Sequence, residues 1–162
     1  MLSALMGADV KIEYEGKNYT LGALTLKDVA QFVLDYQFRD YEIAKQRTKG
    51  LSPELADKIV HEEYIKCRDK RWVKIDTNGA TEFTKFFSWE TPEVQLFSKT
   101  EEGLALQLYY SLKINHPEVT QELAAKIVGL KRINEIFEKI MMAQGLAVED
   151  KEVTLGEQNP NQ

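Results

Sequence analysis

The segment from Glu101 to Gly129 constrains the fold more than any other part of this chain. Glu102-Gly103 leads into Leu104 to Leu112, a run in which apolar side chains cover nearly every helical face. A helix of that kind is central and packed on several sides. Thr100 stands ahead of it as a cap, and Glu101 and Glu102 place negative charge in the first turn, where the macrodipole favours it. Pro117 cannot continue the helix and pushes His116 out of helical backbone. Thr120 restarts the chain as an N-cap, with Glu122 in the first turn and Leu123, Ala124, Ile127 and Val128 on one face. Gly129 ends or bends that helix. The spacing of Ile133, Ile136, Phe137, Ile140 and Met141 predicts a last helix that stops at Gly145.

The elements that must surround this centre can be read in outline. Val10, Ile12 and Tyr14 alternate with Lys11 and Glu13, the period of a half-buried strand. Glu15-Gly-Lys-Asn18 supplies turn residues, with Gly16 and Asn18 as the positions tolerant of positive φ. Tyr19 to Leu21 forms the return strand, giving a hairpin over about residues 9–21. An isolated hairpin is marginal in water and must lean on other elements. Thr25 with Asp28 three residues on predicts a capped helix, and Leu26, Val29, Val33, Tyr36 and Ile43 fall near one stripe. Asp40 interrupts the stripe, so the far end leaves the core, and Gly50 is the stop. Ser52-Pro53 starts a second helix with a weaker stripe of Leu55, Ile59 and Tyr64. The signals break down from Lys74 to Thr81, where Asn78-Gly79 marks a turn. The aromatic cluster Phe83, Phe86, Phe87 and Trp89 is expected on a short helix, and Thr91-Pro-Glu93 begins another.

The resulting expectation is a mainly α fold. Residues 1–146 form a single α-rich domain with a small N-terminal β-hairpin, and residues 147–162 form a flexible acidic tail. A chain of 162 residues with 43% hydrophobic and 29% charged residues can bury a core without staples. A net charge of -5 argues against general nucleic-acid binding, which needs a basic footprint. One cysteine, Cys67, permits no intrachain disulfide and fits a reducing compartment. Met1 to Met6 is apolar but lacks the basic start of a signal peptide, and no stretch approaches the roughly 20 apolar residues of a membrane span. A cytoplasmic protein is expected.

No constellation of catalytic or metal-ligating residues stands out, and neither a cofactor nor a metal is expected. His61 and His116 have no partners at metal-ligand spacing. His61 reads as a solvated helix residue, and His116 as a turn residue whose imidazole can help close the preceding helix. Cys67 reads as a buried or half-buried, inert thiol. The basic run from Lys66 to Lys74 encloses Trp72, a combination that can stack on single-stranded nucleic acid. The acidic chain favours the plainer reading, a charged helix end that complements the dipole. Of the four aromatics from Phe83 to Trp89, at least two are expected in the core. Phe86, Phe87 and Trp89 are the candidates for a partner-binding anchor.

Glu102-Gly-Leu104, the apolar helix with Tyr109 and Leu112, His116-Pro-Glu-Val-Thr120 and Ala124-Lys-Ile-Val128 together resemble the tail assembly chaperones of long-tailed bacteriophages. The front half agrees more loosely, through a short Tyr- and Gly-bearing hairpin leading into Thr25-Leu-Lys-Asp28. The resemblance implies a helical, non-catalytic protein of the host cytoplasm. It implies one that coats the hydrophobic tape-measure protein, recruits tail-tube subunits and is absent from the mature virion. Such proteins often occur in short and frameshift-extended forms, and self-association is compatible with the role. The competing expectations are a structural virion protein, such as a head–tail connector or tail component, and a nucleic-acid-binding regulator using Lys66 to Lys74.

Overall fold

The computed structural model describes residues 9–75, 79 and 82–145, with the backbone alone at 74–75, 82–83 and 130–131. The expected tail, 147–162, and the apolar start lie outside the described residues. The fold is mainly helical with a small N-terminal hairpin, as expected. Strands β1 (Lys11–Tyr14) and β2 (Lys17–Thr20) precede α1 (Leu26–Gln37), α2 (Arg39–Arg47) and α3 (Pro53–Asp69). Strands β3 (Trp72–Ile75) and β4 (Glu82–Lys85) follow, then α4 (Pro92–Phe97), α5 (Glu101–Lys113) and α6 (Gln121–Ala143).

Helix α5 is the centre of the molecule. Its Leu104, Ala105, Leu108 and Leu112 are buried with Ile12, Tyr19 and Leu21 of the hairpin region and with Ala124, Ile127, Val128, Ile136 and Ile140 of α6. Its Leu106 and Tyr110 pack on a second cluster built from Phe32, Val33 and Val94. Thr100 caps it through a bond from the Gly103 N–H at 3.1 Å. Gly103 is required by close approach: a Cβ there would lie 2.0 Å from the Phe97 carbonyl oxygen, which is how α4 and α5 pack across so short a turn.

The C-terminal end of α5 has orphan carbonyls, as every helix does. The hairpin exit satisfies one of them: Gly22 N–H donates to the Ser111 carbonyl at 2.9 Å, and the Ser111 hydroxyl donates back to the Gly22 carbonyl at 2.6 Å. His116 joins this seam. Its Nε2 accepts the Thr20 N–H at 2.8 Å, and its ring meets Tyr19 edge-on at 5.4 Å. The imidazole therefore clamps the hairpin across 96 residues of sequence instead of closing its own helix. On the far side of the hairpin, Lys139 and Arg132 of α6 donate to the carbonyls of Lys11 and Glu13, covering the outer edge of β1.

Several expectations are corrected. The β1–β2 turn is the two-residue loop Glu15-Gly16, with φ of 49° and 74°, and Asn18 lies within β2. Those angles match the twist of a tight hairpin. The helix expected from Thr25 to Gly50 is two helices, broken at Phe38 (φ -97°, ψ 10°). Phe38 and Tyr41 both pack on Tyr64 with ring centroids 5.6 Å away, so α2 turns to lie against α3. Leu26, assigned to the inward stripe, is 90% exposed in the first turn, while Phe32 takes the buried place. The expected short helix around Phe83 is strand β4, antiparallel to β3 with Trp72 opposite Lys85. Gly129 does bend its helix: α6 carries a non-helical residue there, φ 40° and ψ 148°. The break lets both halves of α6 bury apolar faces in the same cluster.

Candidate functional site

The α1–α2 break borders an open concavity. Because α2 swings toward α3, it leaves an open groove between α1–α2 on one side and the starts of α5 and α6 on the other, about 1190 Å³ in volume. Its apolar lining comes from Leu34, Phe38, Ile43, Phe97, Ala105 and Leu106. Leu34 is 47% exposed, because α1 turns its other face, Phe32 and Val33, to the core. Carboxylates border the groove: Asp35, Glu42, Glu101, Glu102 and Glu122, with Arg39 as the cation among the lining residues.

The polar contacts fix this geometry. Arg39 holds Glu102 through two parallel bonds, Nε to Oε1 at 2.7 Å and Nη2 to Oε2 at 2.6 Å, tying the start of α2 to the start of α5. That bond raises the guanidinium pKa further above its already high value. Both side chains are largely exposed, so the pair sets orientation more than stability. Deeper in, the Tyr110 hydroxyl donates to Asp35, which also accepts from Gln31. Burial, and then the bonded carboxylate, push the Tyr110 phenol well above its usual range. Glu42 and Glu122 are matched by Lys45 and Lys126 of their own helices at 2.9 Å each. Among the described residues, Asp35 and Glu101 have no cationic partner within ion-pair distance.

The three partner-binding candidates from the sequence lie elsewhere and are not equivalent. Phe86 is 73% exposed, with the Arg71 guanidinium 4.1 Å from its ring centroid and the Trp72 indole N–H on its carbonyl at 3.0 Å. Phe87 is half-buried against Tyr36, and the Lys70 ammonium lies 5.5 Å from both rings. Trp89 is 36% exposed and meets Phe32 edge-on at 5.5 Å. None of these three is fully buried, although Phe87 packs on the second core cluster; the expectation of at least two core residues rests also on Phe83, which lies outside the described side chains. Phe87 and Trp89 wall the second core cluster, which leaves Phe86 as the protruding aromatic.

The remaining candidates fall into place. His61 is exposed on α3, and Cys67 is a buried free thiol. In the basic run, Lys66 pairs with Glu63, Arg68 with Asp69, and Arg71 donates to the Arg68 and Lys70 carbonyls. These cations dress the end of α3. Among the described residues, no group of three or more His, Cys, Asp or Glu is placed to hold a metal ion, and no helix is long and apolar enough to cross a membrane. Comparison of the chain with protein-family profiles, with curated proteins and with solved structures gave no match.

The groove was not legible as a site from the sequence. Its signal was present only as misfit: Leu34 is an apolar residue off the inward stripe, and Asp40 marks where the stripe fails. The acids that border it come from elements far apart in sequence.

Proposed function

We propose that this chain is a non-catalytic tail assembly chaperone of a long-tailed bacteriophage, which binds the tape-measure protein and recruits tail-tube subunits in the host cytoplasm. The observation that carries the reading is the open, apolar-lined groove between α1–α2 and α5–α6. A chaperone for a long helical client needs a channel that receives the client's apolar face before assembly covers it. Helix-in-groove recognition supplies this, with apolar anchors seated below and charged residues at the rim. The residues 102–128 that carry the family resemblance build α5 and the first half of α6, the elements on which one wall of the groove stands.

Co-expression tests the reading. The chain, produced with the tape-measure protein from the same gene cluster, is expected to form a complex and to raise the client's solubility. No complex and no gain in solubility would refute it. Mass spectrometry of purified particles separates this reading from a structural virion protein: a chaperone is absent, and a structural component is present in stoichiometric amount.

A further inference from the structure

We infer that the groove between α1–α2 and α5–α6 takes an amphipathic α-helix whose polar flanks are basic. The inference rests on the reading of the chain as a binding protein and adds the chemistry of what is bound. The volume, about 1190 Å³, exceeds the roughly 300–1,000 Å³ of pockets that enclose small molecules. The lining residues all lie on helices or at their ends, so no free strand edge is offered to an extended peptide. Leu34, Phe38 and Leu106 provide apolar contact for a stripe spaced i, i+3, i+4, i+7.

Charge selects the flanks. Five carboxylates and one guanidinium line the groove. Arg39, Lys45 and Lys126 already neutralise Glu102, Glu42 and Glu122. Glu101 remains for a cation brought by the occupant, and Asp35, whose oxygens accept from the neutral Gln31 and Tyr110, adds its negative charge to the field. The same field disfavours the other occupants at hand. A second copy carries a net charge of -5, and residues 147–162 place Glu149, Asp150, Glu152 and Glu157 against Lys151 alone.

The test uses the full chain and two synthetic peptides of about 18 residues, long enough for a helical stripe. One has Leu at i, i+3, i+4, i+7 with Lys elsewhere, and the other has Glu in place of Lys. Fluorescence anisotropy is expected to show binding of the Leu/Lys peptide and at least tenfold weaker binding of the Leu/Glu peptide. Amide shifts in NMR are expected in α1–α2 and at the start of α5. Glu101→Gln, at an exposed position, is expected to weaken binding severalfold, and Leu34→Asn more than tenfold. Glu54→Gln with Asp57→Asn, on α3 away from the groove, leaves it unchanged. Equal affinity for both peptides, shifts confined to other elements, or loss with the α3 variant would overturn the inference. So would groove shifts in the free chain on dilution or on deletion of residues 1–8, which would assign the groove to a second copy or to the chain's own terminus. Capture of the tape-measure protein without peptide binding would remove this inference and leave the chaperone reading. Peptide binding without client capture would do the reverse.

Discussion

Replacing Gly103 with alanine sets helix propensity directly against packing. Gly103 lies in the first turn of α5, and Gly→Ala inside a helix normally gains up to about 1 kcal/mol. The structure predicts the opposite sign. The added Cβ would sit 2.0 Å from the Phe97 carbonyl oxygen, 2.7 Å from its carbonyl carbon and 3.0 Å from the Ser98 Cα, all backbone atoms with no rotamer to yield. Relief requires moving that backbone by more than about 1 Å to recover van der Waals distance. The Phe97 carbonyl already accepts the Thr100 hydroxyl at 2.7 Å and the Thr100 N–H at 2.9 Å, so the movement breaks two bonds. Their loss costs about 2 kcal/mol, and leaving the clash in place costs a similar amount as overpacking, about 1–3 kcal/mol. Offset by the propensity gain, the net loss is about 1–2 kcal/mol, or about 2–8 °C in Tm for a chain of this size. Thermal melts followed by circular dichroism measure it. An unchanged or higher Tm for Gly103→Ala would refute the packing argument for the α4–α5 turn.

Gly129→Ala forces an L-residue into φ 40°, ψ 148°, so urea denaturation is expected to show a loss of about 1–3 kcal/mol although the added Cβ meets no atom within 4 Å. His116→Ala removes the acceptor for Thr20 N–H and the edge contact with Tyr19, with an expected loss of about 1–2 kcal/mol and faster hydrogen exchange at the Thr20 amide. The Tyr110 phenol is raised in the folded state, so its contribution is complete below the ordinary tyrosine pKa and declines above it, as the unfolded chain loses its proton first. Tyr110→Phe should therefore be less stable than the parent at pH 7 but lose stability less steeply above about pH 10, as read by denaturant midpoints across that range.

What the sequence made legible is what local chemistry decides. Thr25 with Asp28, Thr100 and Thr120 each cap the helix predicted from them, because a side chain reaches a backbone N–H only three residues away. Pro117 and Gly129 act through their own backbone limits. The unmixed apolar run of α5 could only be central. What escaped depends on partners distant in sequence. The break at Phe38 is set by Tyr64 of α3, and the clamp at His116 by Thr20 of β2. Strands β3 and β4 do carry a local signal: the β-branched and aromatic residues of Trp72-Val-Lys-Ile75 and Glu82-Phe-Thr-Lys85 flank the turn residues Asn78-Gly79. Aromatic density alone does not separate a helix face from a strand there, because aromatics also favour strands. The groove assembles from residues of five helices, α1, α2, α4, α5 and α6, so no window of sequence contains it.

Hydrogen exchange on the chain co-purified with the tape-measure protein tests the central claim most directly. The account predicts slowed exchange in α1–α2 and at the start of α5, with β1–β2 unchanged. A soluble complex in which those helices exchange as in the free chain, while protection falls on β3–β4 around Phe86, would contradict it.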